Sequence, residues 1–174
     1  MNAPPVEFSR IVLVARLGAD PYRQQIAATE AEREALACRF DLVSLDHLSA
    51  TVELARERGG TILLRAGFDA AFAQHCIVTL DPVAGSLHES FVLRYGPPEA
   101  EPDEAVSGAD DEPAFEPLTG DAIDVGEAVA QEFSLALPPF PRAPDAVVEA
   151  GATEPDTDDG PFAALARLSR REGG

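Results

Sequence analysis

Residues 48–72 read LSATVELARERGGTILLRAGFDAAF, and this stretch decides the fold. Apolar and polar residues alternate on both sides of Gly59 and Gly60, the period-two pattern of strands that bury one face. The two glycines indicate a hairpin, because glycine adopts the positive φ angles of tight turns. We therefore predict two long antiparallel strands. The buried face of the second comprises Ile62, Leu64, Ala66, Phe68, Ala70 and Phe72.

Weaker patterns place further elements on both sides of this hairpin. Residues 8–17 predict a strand, because they are rich in β-branched side chains. Thr29, with Glu32 three residues later, has the capping-box spacing and predicts a helix over residues 29–39. Residues 81–85 predict a turn before a further strand. The apolar positions of that strand are Leu87, Phe91, Leu93 and Tyr95.

The short links between these strands favour antiparallel pairing, so we predict a meander sheet. Gly67 interrupts the second hairpin strand and predicts a bulge that bends it. The expected fold is α+β, with an antiparallel meander sheet that is strongly bent or barrel-like. Two or three short helices and acidic irregular segments complete it.

The chain changes character after residue 96. Residues 97–117 are dominated by Glu, Asp, Pro, Ala and Gly and predict a flexible acidic loop. Asp124, with Glu127 three residues on, predicts a capped helix at about residues 125–134. The predicted apolar side of this helix comprises Ala128, Val129, Phe133 and Leu135.

We expect one domain in four parts. Residues 1–96 form an N-terminal strand, a helix and the antiparallel sheet, and residues 97–117 form the acidic loop. Residues 118–140 supply a helix packed on the sheet. Residues 141–174 form a tail rich in Pro and Asp with a short terminal helix, for which Pro161 suits the first turn.

Charge is distributed unevenly along the chain. Residues 1–96 contain 12 acidic residues and nine arginines, whereas residues 97–174 contain 19 and four. The net charges of the two parts are −3 and −15, and the chain has no lysine. Such a surface repels bare phosphate backbones and anionic membranes and attracts basic proteins. The acids could also serve solubility alone, and that alternative stays open.

The sequence predicts a cytoplasmic, reducing location. Residues 1–5 have neither the basic region nor the apolar run of a signal peptide. The longest early apolar run, residues 11–15, is too short to span a bilayer. We therefore expect Cys38 and Cys76 to be free and buried, behaving as small hydrophobic residues.

Few groups suit metal binding or catalysis. Structural zinc needs about four Cys or His ligands, and the three histidines, His47, His75 and His88, are scattered. His75 and Cys76 are neighbours in a predicted strand and point to opposite faces, which separates nucleophile from base. No nucleophile elbow or phosphate-binding loop occurs. We expect no enzyme, no cofactor, no metal and no small-molecule substrate.

The arginines of the predicted sheet allow two interpretations. Arg56, Arg58, Arg65 and Arg94 could form a patch that contacts an RNA backbone. Cross-strand pairing with acidic neighbours would neutralise the same arginines, and we favour that interpretation. The acidic neighbours are Glu53, Glu57 and Asp69.

Three segments taken together resemble a known family. They are residues 72–83 (FAQHCIVTLDPV), 122–138 (AIDVGEAVAQEFSLALP) and 160–168 (GPFAALARL). Their order and spacing, with an acidic loop between the first two, resemble the YceD-like family of large ribosomal RNA subunit accumulation proteins. The early helix, with EALACRF at residues 34–40, is similar to the alphaproteobacterial branch.

The resemblance implies a bacterial, non-enzymatic role in accumulation of large-subunit rRNA. Many members carry a Cys-x-x-Cys pair in the first segment, but Ala73 stands here in place of its first cysteine, so a metal site does not transfer. We name as candidate partner-binding residues Gln74, Cys76, Asp124, Glu132, Pro161, Phe162, Arg65 and Arg94.

Two functions follow from these observations. The first is a ribosome-biogenesis factor that binds a basic ribosomal protein or a pre-large-subunit particle, helped by the acidic second half. The alternative is an RNA-binding module that contacts rRNA through arginines on the sheet. RNA binding would weaken steeply with salt and depend on Arg65 and Arg94, whereas protein binding would depend on the acids.

Overall fold

The computed structural model describes residues 6–98 and 113–147. Two single turns of 3-10 helix, Val14–Arg16 and Arg58–Gly60, lie among the longer elements. The strands and α-helices of these residues are, in chain order, β1 (Ile11–Leu13), β2 (Tyr22–Ala27), α1 (Glu30–Arg39), β3 (Ser44–Arg56), β4 (Ile62–His75), β5 (Pro82–Gly96), β6 (Ala114–Pro117), β7 (Ala122–Asp124) and α2 (Val125–Ala136).

Five strands form one sheet in the order β2-β3-β4-β5-β6, and β1 pairs separately with β7. Strands β2 to β5 are antiparallel neighbours, which confirms the α+β class and the predicted hairpin at Gly59 and Gly60. Strand β6 runs parallel to the end of β5, so the sheet is mixed and the expectation of a wholly antiparallel sheet is wrong. Among the described residues β2 and β6 are paired on one side only, and no barrel-like closure is seen there.

Strand β6 lies inside the segment predicted as a flexible loop. The prediction is wrong for residues 114–117, where Ala114 pairs with Leu93 and Phe115 with Arg94. Phe115 supplies the apolar side chain that the surrounding acidic sequence otherwise lacks. The rest of the predicted loop, residues 99–112, lies outside the described residues.

The core lies between one face of the sheet and the two helices. The six predicted positions of β4 are all buried, with exposures between 0% at Leu64 and 5% at Ala66. Phe133 of α2 is fully buried and meets three aromatic rings edge-on. The ring centroids lie 5.9 Å from Phe40, 6.3 Å from Phe68 and 5.7 Å from Phe72.

Several local predictions need correction. The predicted strand at residues 8–17 contains only the three-residue β1, followed by a 3-10 turn. The pairing register shifts at Asp46 rather than at Gly67, which pairs regularly with both neighbouring strands. The turn between β4 and β5 spans residues 76–81, so residues 82–85 already belong to β5. Leu135 is 78% exposed rather than part of the apolar side of α2.

The predicted start of α1 is confirmed in detail. Thr29 and Glu32 form a reciprocal capping box. The same Glu32 carboxylate accepts hydrogen bonds from both terminal nitrogens of Arg10, at 2.7 and 2.9 Å. The Arg10 hydrogen bond, with help from Thr29, lowers the pKa of Glu32 from 4.5 to about 2. This one side chain therefore joins the start of α1 to the segment that leads into β1.

We expect Glu32→Gln to lower the free energy of unfolding by about 2 kcal/mol at pH 7. Because folding depresses the pKa of Glu32, its contribution is complete above about pH 4.5 and disappears as the pH falls towards 2. Urea unfolding of both proteins between pH 7 and pH 2.5 measures this difference. A difference that stays constant over that range would show that the ionised carboxylate is not the source of the stability.

Candidate functional site

The candidate residues named from the sequence fall into separate regions of the fold. Gln74 lies near the end of β4 and Cys76 is the first residue after it, whereas Asp124 caps α2 and Glu132 lies in its second half. Arg65 and Arg94 lie on the face of the sheet opposite the helices, because their neighbours along each strand point into the core. Pro161 and Phe162 lie outside the described residues.

A groove of about 200 Å³ lies where the end of β5 and β6 meet the start of α2. We call it the acidic groove, because Glu116, Asp124 and Glu127 line it together with Tyr95. A hydrogen bond of 2.7 Å from the Leu118 backbone nitrogen to the Gly96 carbonyl oxygen holds its outer wall against the sheet. Glu132 follows along α2.

Two of these carboxylates are engaged in internal contacts. Asp124 caps α2 by accepting hydrogen bonds from the backbone nitrogens of Gly126 and Glu127, at 3.1 and 3.2 Å. It also accepts one from the backbone nitrogen of Arg10 at 2.7 Å. Glu127 forms an ion pair with Arg39 at 2.7 Å, so the reciprocal half of the predicted capping box is absent from α2. Asp124 and Glu127 therefore stabilise the fold.

Glu116 and Glu132 differ from them. Neither carboxylate accepts a hydrogen bond or forms an ion pair with any residue that the structure describes. Burial raises the pKa of Glu132, and repulsion from Glu116 raises it further. Burial also raises the pKa of Tyr95, with added contributions from Glu116, Glu132 and Asp124. Negative potential is thus concentrated around the Tyr95 hydroxyl, where a cation would be stabilised.

Cys76, another predicted partner-binding residue, lies apart from the acidic groove. Its thiol is fully buried and accepts hydrogen bonds from the backbone nitrogens of Val78, Thr79 and Ala143, at 3.4, 3.5 and 3.4 Å. The Thr79 hydroxyl and these backbone groups lower the pKa of Cys76 to about 6, although burial opposes the shift. The sulfur therefore ties the β4–β5 turn to the chain that follows α2.

The predictions for the two cysteines and for His75 are confirmed only in part. Both cysteines are free, as predicted, but Cys38 is exposed because it lies on the solvent side of α1. His75 is exposed and its Nδ1 lies 3.0 Å from the Leu80 carbonyl oxygen, so it does not pair with the buried Cys76. In residues 6–98 and 113–147, no group of three or more His, Cys, Asp or Glu is arranged to hold a metal ion.

Two of the four arginines of the predicted patch, Arg56 and Arg94, are engaged in contacts, whereas Arg58 is exposed and has no ion-pair partner among the described residues. Arg94 Nε donates to Glu57 at 3.0 Å. Arg56 donates to the carbonyl oxygens of Val14 and Leu17, just after β1. Arg65 stands opposite Glu53 in register, but Glu53 pairs with Arg23 at 2.6 Å. Arg65 is exposed and has no ion-pair partner among the described residues.

Comparison with known proteins assigns the chain. The family model for the large ribosomal RNA subunit accumulation protein YceD matches residues 64–169. The chain belongs to the YceD family. The match contains most of β4 and all of β5, β6, β7 and α2, so Cys76 and the acidic groove both lie in the part that defines the family. The predicted resemblance is confirmed, and its alphaproteobacterial branch stays a prediction.

The family description points to a role in accumulation of large-subunit ribosomal RNA. No curated protein and no solved structure matches the chain significantly. No helix among the described residues is long and apolar enough to cross a membrane.

Proposed function

We propose that this YceD-family protein is a non-enzymatic factor of ribosome biogenesis in the bacterial cytoplasm. It supports accumulation of large-subunit rRNA by binding a basic ribosomal protein, free or on a pre-large-subunit particle. The observation that supports this proposal is a pair of carboxylates without a partner among the described residues. Glu116 lines the acidic groove and stands opposite Tyr95 in register, and Glu132 lies beside the groove on α2, close enough to raise the pKa of Tyr95.

A basic side chain of the partner suits this groove. An arginine or lysine placed between Glu116 and Glu132 would relieve the repulsion that raises the pKa of Glu132. The phenol ring of Tyr95 offers an additional cation–π contact at the same place. Outside the groove, the net charge of −15 in residues 97–174 would steer a basic protein towards it and raise the association rate.

We expect the double variant Glu116→Gln/Glu132→Gln to bind a purified Arg- and Lys-rich large-subunit ribosomal protein between 10- and 100-fold more weakly, by about 1.4 to 2.7 kcal/mol. Isothermal titration calorimetry at two salt concentrations measures this change. The matched control is Glu34→Gln/Glu89→Gln, which removes the same charge from exposed positions on α1 and β5. Equal losses in both variants would mean that net charge, and not the groove, carries the binding.

The alternative is direct contact of rRNA through the sheet arginines, and the unpaired Arg65 favours it. Two unpaired arginines, Arg58 and Arg65, on a chain of net charge −18 give weak attraction for a phosphate backbone. If RNA binding were the function, Arg65→Gln and Arg94→Gln would reduce affinity for isolated rRNA, and the groove variants would increase it. The partner contacts predicted for Gln74, Cys76, Pro161 and Phe162 would involve neither the acidic groove nor the sheet arginines.

A further inference from the structure

The chain that follows α2 crosses the end of the sheet as a strap, residues 138–143. Three hydrogen bonds attach this strap to β4 and the turn beyond it. Gln74 Nε2 donates to the Pro138 carbonyl oxygen at 3.2 Å, and the Ile77 nitrogen donates to that of Pro141 at 2.9 Å. The third is the Ala143 nitrogen on Cys76 Sγ, at 3.4 Å. The strap is therefore held at both ends and along its length.

An apolar groove of about 260 Å³ lies between the strap and β5, and we call it the strap groove. Its floor is the buried ring of Phe72, which packs against Gly85 so closely that a Cβ there would lie 2.8 Å from the ring. Its walls are Val83, Ala84, Pro138, Phe140 and Pro141, with Arg142 beside them.

The surroundings of the strap groove are unusually apolar for a surface. Phe140 is 74% exposed and, on the adjacent turn, Leu80 is 71% exposed. Ile77, whose nitrogen bonds the strap, is 49% exposed. Large apolar side chains exposed in one region of a surface are typical of a docking site.

The sequence supplies a suitable occupant close by. The described chain ends at Val147, four residues beyond the strap. Thirteen residues, 148–160, separate it from the stretch 161–168, in which Phe162, Leu165 and Leu168 share one face at helical spacing. Between the two lies only one large apolar residue, Val148. The root-mean-square span of such a linker, roughly 20 Å, makes docking within the same chain favourable.

Charge on both sides agrees with this placement. Asp158 and Asp159 lie three and two residues before Pro161, and Arg142 lines the strap groove. The stretch 161–168 and the strap also fall within the same family match, residues 64–169.

We propose that residues 161–168 dock onto the strap groove of their own chain, with Phe162 against the apolar walls beside Phe140. The terminal stretch then covers Phe140 and the neighbouring apolar turn. Gln74 and Cys76 position the strap that receives it, through their hydrogen bonds to Pro138 and Ala143. This docking involves none of the acidic groove and does not rest on the proposed function.

Paramagnetic NMR on the full chain tests the docking. Cys38→Ser removes the exposed thiol, Cys76 is fully buried, and Ser169→Cys carries a nitroxide; Cys38→Ser alone, treated with the same label, is the control for reaction at Cys76. We expect loss of the amide signals of Ala84, Gly85 and Phe140, while those of Leu64 and Leu93 at the other end of the sheet persist. The further variant Phe162→Asp/Leu165→Asp is expected to restore the lost signals without shifting the resonances of the core.

Two results would overturn the proposal. One is full signal intensity at Ala84, Gly85 and Phe140 in the labelled protein, or loss that survives Phe162→Asp/Leu165→Asp. The other is loss of those signals when nitroxide-labelled chains without ¹⁵N are mixed with ¹⁵N chains without the label, since that would show docking onto a second copy. Affinity for a basic protein is a separate readout, so failure here leaves the acidic groove untouched.

Discussion

Replacing Phe133 with alanine is expected to lower the free energy of unfolding by about 4 kcal/mol. The side chain is fully buried and meets Phe40, Phe68 and Phe72 edge-on, so its removal loses both hydrophobic burial and three aromatic contacts. It is also the contact through which α2 packs on the centre of β4. Urea denaturation followed by circular dichroism measures the loss.

The same helix offers a matched control. Leu135, two residues away, is 78% exposed, and Leu135→Ala is expected to change the free energy of unfolding by less than about 0.5 kcal/mol. Similar losses for the two variants would contradict the orientation of α2, because they would place both side chains in the core.

Gly126→Ala is expected to cost about 3 kcal/mol, although alanine favours helices. A Cβ at this position would lie 2.6 Å from the Phe8 carbonyl oxygen and 2.9 Å from the Arg10 nitrogen. Both are backbone atoms, so no side chain can rotate away. Relief requires the N-terminal segment to move off α2, which weakens the hydrogen bond between Asp124 and the Arg10 nitrogen.

Gly18→Ala is the control for this prediction. A Cβ at Gly18 would meet no atom within 4 Å, and its φ is not positive. The substitution is therefore expected to be neutral or slightly stabilising in the same denaturation experiment. A neutral Gly126→Ala would show that the N-terminal segment does not lie against the start of α2.

The hairpin and both helix starts could be predicted from the sequence because their causes are local. Alternation around Gly59 and Gly60 fixes which face of β4 is buried, and Thr29 and Asp124 supply the cap hydrogen bonds themselves. Strand β2 has no such local signal, because it is an edge strand with a polar sequence, YRQQIA, and pairs only with β3 among the described residues. Strand β6 was hidden in acidic sequence for a similar reason, since β5 supplies its hydrogen bonds.

The candidate site was less predictable than the fold. Asp124 is a predicted binding residue, but its carboxylate is occupied by the helix cap and by the backbone nitrogen of Arg10. The sequence predicts Glu132 as a binding residue but not Glu116, because Glu116 is one of several similar acids in residues 97–117. Only the parallel pairing of β6 brings Glu116 beside Tyr95, and pairing between distant segments leaves no local pattern in the sequence.

The most direct test of the proposed function is the ratio of large- to small-subunit rRNA in cells that lack the protein and carry each variant on a plasmid. The wild-type chain, Arg65→Gln and Glu34→Gln/Glu89→Gln are expected to restore the ratio, and Glu116→Gln/Glu132→Gln is expected to leave it low. Full restoration by Glu116→Gln/Glu132→Gln, with failure of Arg65→Gln, would contradict capture of a basic ribosomal protein and support contact with rRNA.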